Sequence, residues 1–259
     1  MKVAVLVKRV PDTASVFKIA DDQKSVVTDN LKYVMSPYDE IAVEAAVRLK
    51  EAKKTDELVV ITLGSKDAKQ IMLTALAMGA DSGILVTGDG VDALTGKGAA
   101  RVLAAAVKKA GSDLVIAGKQ AVDDDAAQVP ERVAELLDMS HVSVVTSLDV
   151  EGDKVVADRE VEGGHLKVEV PLPVMVTAQK SLNEPRYPTL PNIMKAKKKP
   201  IEELSLDALG LSADDVASQL TVEKMELPRQ ERHQRILEGE PAERVALLVK
   251  ALGEEEKVL

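Results

Sequence analysis

The stretch LVIAGKQAVDDDAAQ, residues 114–128, begins as a continuous run of apolar and small residues and ends where helical spacing takes over. A short run of this kind, closed by glycine, fits a parallel strand covered on both faces. The loop that follows is Gly118-Lys119-Gln120-Ala121-Val122-Asp123-Asp124-Asp125-Ala126-Ala127-Gln128, and Val129 opens the next helix. Ligands of open α/β sheets sit outside the carboxyl ends of strands, where loops expose N–H groups and helix N-termini favour anions. This loop is therefore positioned to hold a nucleotide phosphate. The carboxylates of Asp123, Asp124 and Asp125 would repel a phosphate, so they are expected to turn away from it, capping the helix or accepting from ribose hydroxyls. An acidic helix-capping loop with no ligand accounts for the same composition.

Working outward, VAVLV (3–7), LVVITL (58–63) and GILVTG (83–88) repeat the apolar pattern, and helical patterns separate them. One helix opens at Ser36-Pro37-Tyr38-Asp39, where Ser36 can cap, Pro37 suits the first turn and Asp39 can reach back as in a capping box. Its apolar stripe is Ile41, Ala45 and Leu49. A second helix is expected from about Ser65 to Gly79, and a third from about Asp92 to Ala110 with Gly111 as its stop. Strands and helices alternating at this rhythm give an α/β fold, a doubly wound and mostly parallel sheet. After residue 140 the pattern changes. VSVVTSLDV, KVVADREVEG and LKVEVPLPVMVTA read as strands, the last two joined at Gly163-Gly164, and are expected to add antiparallel strands to the sheet. The division expected is an α/β nucleotide-binding domain over 1–181, a loop over 182–200 and a C-terminal arm of short charged helices over 201–259.

Bulk properties narrow the function. The chain has 259 residues, 46% hydrophobic and 30% charged, which fits a soluble globular protein. Aromatic residues make up only 2%, and the net charge is -9, so both the stacking platforms and the positive footprint of nucleic-acid binding are missing. With no cysteine, disulfides, thiolate nucleophiles and Cys-ligated clusters are excluded. Lys8 and Arg9 follow the first apolar run, the reverse of a secretory signal, and no run is long enough to span a membrane, so a cytoplasmic protein is expected.

Catalytic patterns are sparse. His141, His165 and His233 lie far apart and read as structural or solvated; no G-x-S-x-G or H-E-x-x-H occurs. Gly90…Gly96-Lys97-Gly98 approaches a phosphate loop, but its glycine spacing is too long and no Ser or Thr follows the lysine.

GKQAVDDDAAQ resembles the nucleotide-binding loop of electron transfer flavoprotein beta subunits. DREVEGG (158–164) and LNEPRYPTLPNIMKAKKK (182–199) are similar to the same family, as are VLVKRVPD (5–12), VMSPYDEIAVEAAVRLKE (34–51) and TALAMGAD (74–81). The resemblance covers about residues 1–205. It implies a Rossmann-like, adenine-nucleotide-hydrolase-like fold and a non-catalytic electron-carrier role. The implied partner is an alpha subunit that binds most of the FAD, with this chain as a shelf beneath the flavin domain and its C-terminal arm packed on that subunit. Electrons would pass from an acyl-CoA dehydrogenase-type donor to a quinone oxidoreductase-type acceptor.

The resemblance further implies AMP in this chain, at Leu6, Ser36 to Asp39, Leu63 and the loop from Gly118 to Val129. In bifurcating relatives a second FAD takes that place. Ala127-Gln128-Val129 and PDTA (11–14) are closer to those relatives, whereas Asp124 replaces a glycine usual in the bifurcating loop and LPNIMKAKKK follows the ordinary docking sequence. Glu160 is implied as a latch for the flavin domain. Leu190, Pro191, Ile193, Met194, Lys195, Lys197 and Lys198 are implied as the partner-docking segment, with Leu190 held outward as its anchor and Lys199 among the steering charges. A stand-alone adenine-nucleotide-binding protein of the universal-stress type shares the fold and is the alternative.

Overall fold

Alternation along the first strand sets the architecture. In the computed structural model, which describes residues 1–228 and 234–258, Val3, Val5 and Val7 face one apolar cluster while Ala4 and Leu6 face another. A strand buried on both sides needs helices on both sides, and the chain supplies them in order.

The elements are β1 (Lys2–Leu6), β2 (Arg9–Pro11), β3 (Tyr33–Met35), α1 (Pro37–Glu51), β4 (Glu57–Leu63), α2 (Lys69–Met78), β5 (Ser82–Val86), α3 (Gly96–Ala110) and β6 (Leu114–Gly118). They continue as α4 (Val129–Leu136), β7 (Ser140–Glu151), β8 (Lys154–Val161), β9 (Gly164–Pro171), β10 (Val174–Ala178), α5 (Leu190–Ala196), β11 (Ile201–Leu204), α6 (Ala213–Val216) and α7 (Pro241–Lys250).

The main sheet is nine-stranded, in the order β11-β5-β4-β1-β6-β10-β7-β8-β9, while β2 and β3 form a separate ribbon. Every pair from β11 to β7 is parallel, and β7-β8-β9 is antiparallel. Helices α1 and α2 cover one face and α3 and α4 the other. The chain steps from β1 to β4 and β5, then returns through α3 to lay β6 on the opposite side of β1, so the strand order reverses between β1 and β6. That reversal opens a crevice at the carboxyl ends of the two strands.

Several details differ from the sequence reading. LKVEVPLPVMVTA is two strands: β9 pairs with β8, and β10 lies between β6 and β7. Pro171 and Pro173 lack the N–H that a continuous ladder needs, and VMVTA is wholly buried, as a central strand must be. The hairpin turn is Glu162-Gly163, with Gly163 at φ 81, a conformation that favours glycine. The loop expected over 182–200 contains α5.

The arm expected from 201 begins instead with β11, an edge strand parallel to β5, and Leu204 is buried. Leu206, Leu209 and Leu211 pack on the core face formed with α3, so this apolar content belongs to the domain itself. The described chain forms two compact units, Met1–Phe17 with Val27–Glu223, and Lys18–Val26 with Lys224–Leu259. Within the second, Ile19 bridges Val26, the Met225 N–H donates to the Gln23 carbonyl, and α7 exposes Val245, Leu247 and Leu248. Among the described residues no helix is long and apolar enough to cross a membrane. His141 and His165 are exposed, and His233 lies outside the described residues.

Helix α3 approaches the backbone after it closely: a Cβ on Gly98 would sit 2.3 Å from the carbonyl oxygen of Val216. Gly98→Ala should therefore cost about 1–3 kcal/mol in denaturant unfolding, the range for an overpacked contact that must move backbone. Gly164→Ala, where a Cβ meets nothing within 4 Å, should be nearly neutral.

Candidate functional site

The S-x-x-D spacing at the start of α1 does not form a capping box. Ser36 Oγ makes no cap hydrogen bond and is buried without a partner. Asp39 reaches outward from α1 instead. Its carboxylate accepts the Lys8 N–H at 2.7 Å and the Gly118 N–H at 3.0 Å, the backbone groups where β1 and β6 end. One buried side chain thus ties together the two strands that flank the reversal point.

Burial pushes the Asp39 carboxyl up to about 7, against the two N–H donors and the Lys8 ammonium, which favour its charge. Gly118 must lack a side chain here, because a Cβ would lie 2.5 Å from Asp39 Oδ1 and 2.6 Å from Tyr38 Cβ.

Above this tie opens a cleft of about 830 Å³. Leu6, Leu63, Leu103 and Ala117 give it apolar walls, and the loop Gly118–Val129 forms one rim. The Lys8 ammonium lies 2.8 Å from the Asp123 carboxylate and 3.5 Å from that of Asp124. These two aspartates face the cleft but are balanced by Lys8, rather than capping the helix as expected. Asp124 Oδ1 also accepts the Ala126 N–H at 3.2 Å. Asp125 turns aside to accept from Gln120 Nε2 at 2.7 Å and stays out of the lining. The helix cap position belongs to Gln128.

The N-terminus of α3, at Gly96, and that of α4, at Val129, both open into the cleft. The first turn of α3 carries no acidic residue, so its dipole and free N–H groups favour an anion. Gln128 lies across Gly96, where a Cβ would come within 2.8 Å of its side chain.

Of the residues expected to bind nucleotide, Leu6, Asp39, Leu63, Gly118, Gln120, Ala121, Asp123, Asp124, Ala126, Ala127, Gln128 and Val129 line this cleft. Ser36, Pro37, Tyr38, Lys119, Val122 and Asp125 do not. Lys119 instead donates its N–H to Ala178 at 3.1 Å and holds its ammonium 5.3 Å from the Tyr38 ring centre.

The sequence reading missed Lys8, Arg9, Tyr33, Ser65, Asp92 and Gly96. The Arg9 guanidinium stacks 3.7 Å over the Tyr33 ring, and Asp92 Oδ1 accepts the Ser65 N–H at 2.9 Å. The signal was available: Lys8-Arg9 and Gly64-Ser65 follow apolar strands as directly as the acidic loop does.

Two expected positions lie elsewhere. Glu160 is exposed and accepts from Gln179 Nε2 at 2.8 Å. In the segment expected to dock a partner, Leu190 is 72% exposed at the start of α5, with Ile193, Met194, Lys195, Lys197 and Lys198 also exposed. Lys199 differs: it turns inward, donating to the Leu76 and Ala80 carbonyls at the end of α2, and burial pulls its pKa down. Among the described residues no cluster of His, Asp or Glu could hold a metal ion.

Comparison with known proteins gives consistent results. A model of the electron transfer flavoprotein domain matches residues 24–209. The chain is 40% identical over 260 residues to the electron transfer flavoprotein subunit beta of Bacillus subtilis (strain 168), covering 100% of both. It is 45% identical over 232 residues to the human protein of the same name, covering 89% of this chain and 90% of that one, and the mouse protein matches to the same extent.

Asp39→Ala would leave the buried Gly118 N–H and the part-buried Lys8 N–H without an acceptor, at about 1–3 kcal/mol each, so the variant should lose about 2–6 kcal/mol in urea unfolding. The pH dependence has a definite sign. The folded carboxyl keeps its proton up to about pH 7, whereas an ordinary aspartate releases it near 3.8. The folded state therefore binds more protons across that window, and this group's contribution to stability falls as pH rises through it. Wild type should lose stability relative to Asp39→Asn between about pH 5 and 7; parallel or opposite slopes would contradict the raised pKa.

Proposed function

Because the chain belongs to the electron transfer flavoprotein beta-subunit family, we propose that it is the beta half of a heterodimeric electron carrier and holds AMP in the cleft between β1 and β6. The observation that carries the nucleotide reading is the cleft itself. Two helix N-termini and a loop of backbone N–H groups suit a phosphate, the Asp123–Lys8–Asp124 group suits ribose hydroxyls, and the leucine and alanine walls suit an adenine ring. AMP there would be structural, filling the reversal point and ordering the acidic loop.

An alpha subunit would bind most of the FAD, and that flavin supplies the electron-accepting and electron-donating chemistry. This chain's part is to form the shelf beneath it, with Glu160 exposed on β8 as a latch for one orientation of the flavin domain. The exposed apolar residues of α7 and the rest of the C-terminal arm would pack on the alpha subunit. Electrons would enter from an acyl-CoA dehydrogenase-type donor and leave to a quinone oxidoreductase-type acceptor, with the cytoplasm as the compartment. Leu190 on α5, flanked by Lys195, Lys197 and Lys198, would be the docking anchor: the leucine sets the off-rate and the lysines steer an acidic partner.

One observation favours a second reading, in which the ADP half of a second FAD occupies the cleft. The cavity continues past the acidic loop to Arg9, Pro11 and Tyr33, where a larger ligand would find an aromatic ring and a guanidinium. A stand-alone nucleotide-binding protein has no such observation in its favour.

Acid extraction of the heterodimer followed by chromatography should release AMP and FAD in equal amounts. Two FAD and no AMP would establish the second reading, and FAD alone would refute a nucleotide in this chain. Leu190→Ala should weaken reduction by the donor by about 1–3 kcal/mol in apparent affinity, with stability and nucleotide content unchanged. Lost stability with full electron transfer would make Leu190 a packing residue.

A further inference from the structure

The exposed face of α5 follows a segment with no regular structure of its own. Residues 183–189 belong to no helix or strand, so no backbone ladder fixes their path. Side chains of α1 hold them. Glu44, Arg48 and Glu51 fall on one side of that helix, at i, i+4 and i+7.

Glu44 is only 2% exposed. Its carboxylate accepts from Arg186 Nε at 2.7 Å, from Arg186 Nη2 at 3.1 Å, from the Arg186 backbone N–H at 3.3 Å and from Arg48 Nε at 2.7 Å. Arg186 also pairs with both oxygens of Glu51, at 2.5 and 2.9 Å. Asn183 Nδ2 donates to the Ile41 carbonyl at 3.0 Å, and Arg48 Nη2 donates to the Glu184 carbonyl at 3.2 Å. Burial alone would raise the Glu44 pKa, but the hydrogen bonds from Arg186 and Arg48 outweigh it and hold the carboxyl below the ordinary glutamate range. The pairs with Arg186 likewise raise the pKa of that guanidinium.

Only the Glu44 carboxylate is buried, while Arg186 and Glu51 are partly exposed; such a pair adds little net stability, yet removing Arg186 leaves the buried carboxylate with Arg48 as its one remaining cation. Its distinguishing property is geometric. A guanidinium bound in fork fashion to two carboxylates accepts one pose of the chain and resists others. Immediately after Arg186 the structure presents Tyr187, 95% exposed, then Leu190, Ile193 and Met194. Beyond them Ala196 is buried and Lys199 is tied to the end of α2. The apolar face is thus fastened on both sides, to α1 before it and to α2 after it.

We propose that the Glu44–Arg186–Glu51 cluster is a positioning device that locks residues 183–189 onto α1, so that Tyr187 and the first turns of α5 stand ready as a rigid binding face for the redox partner. This inference rests on the reading of α5 as the docking surface. Its consequence is kinetic: ordering is completed before encounter, so association loses less entropy. Arg186 acts through the face it presents and has no part in the electron transfer step.

The test uses the assembled heterodimer carrying Arg186→Gln, with Glu51→Gln as a milder variant should the first fold poorly. Hydrogen exchange is followed in peptides covering 183–194. In parallel, reduction by a purified medium-chain acyl-CoA dehydrogenase with octanoyl-CoA is measured while the flavoprotein concentration is varied. Arg186→Gln should speed exchange in 183–194 while leaving β1 and α3 peptides unchanged. It should also raise KM for the flavoprotein by about 5- to 20-fold with kcat within about twofold, the pattern of a lost pre-ordered contact. Arg186→Lys should fall between, because an ammonium cannot span both carboxylates.

Unchanged exchange in both variants would overturn the clamp, whatever the docking surface is. Faster exchange with unchanged KM, while Leu190→Ala still raises KM, would show that the pose is irrelevant to docking and would overturn the proposal. Unchanged KM in Leu190→Ala as well would remove the docking reading and the functional half of this inference with it.

Discussion

A buried carboxylate that accepts hydrogen bonds from the ends of two neighbouring strands is the constraint on which the rest of the domain depends. Asp39 sits where β1 and β6 part, and it meets both Lys8 and Gly118 from the first turn of α1. Without it the buried Gly118 N–H and the part-buried Lys8 N–H would lose their acceptor, a cost that the adjoining buried Ser36 shows no sign of offsetting. The same contact fixes the start of α1, requires glycine at 118, and sets the floor of the cleft. It also couples two distant features, because the helix that begins with Asp39 carries Glu44, Arg48 and Glu51 farther along. The cleft and the segment 183–189 are thus fastened to one and the same helix, the cleft at its first turn and the segment from its middle onward.

The electrostatics of the cleft follow from this geometry. Three consecutive aspartates beside a site suited to phosphate look contradictory in composition. Space resolves the conflict: Lys8 lies between Asp123 and Asp124, and Asp125 is turned to Gln120. Besides Lys8 and Arg9, the positive side of the site comes from the ends of α3 and α4, whose N–H groups carry no formal charge and leave no mark on the net charge of -9.

Much of the fold was legible in the sequence because its signals are local. Continuous apolar runs marked β1, β4, β5 and β6, and Gly79 and Gly111 closed the helices where expected. The acidic loop could be placed at a strand end for the same reason. What could not be read was long-range. The S-x-x-D spacing at 36–39 looked like a local cap, yet the partners of Asp39 lie 31 and 79 residues away. Arg186 looked like one residue of a motif, and Glu44 is 142 residues from it. Periodicity cannot report such pairings. LKVEVPLPVMVTA was misjudged for a different reason, since two prolines and a change from half-exposed to fully buried were read as one strand. The strand at 201–204 was hidden by its charged residues Glu202 and Glu203, which an edge strand can turn to solvent.

The most direct test is amide hydrogen exchange at Lys8 and Gly118, measured in nucleotide-free and AMP-saturated protein and in Asp39→Asn. If Asp39 builds the cleft, both amides are protected without nucleotide, AMP adds little, and the substitution lowers protection at these two positions while the cores of β1 and β6 keep theirs. Amides that exchange as an open loop in the free protein and become protected only when AMP is added would show that the ligand, and not the carboxylate, holds the strands together.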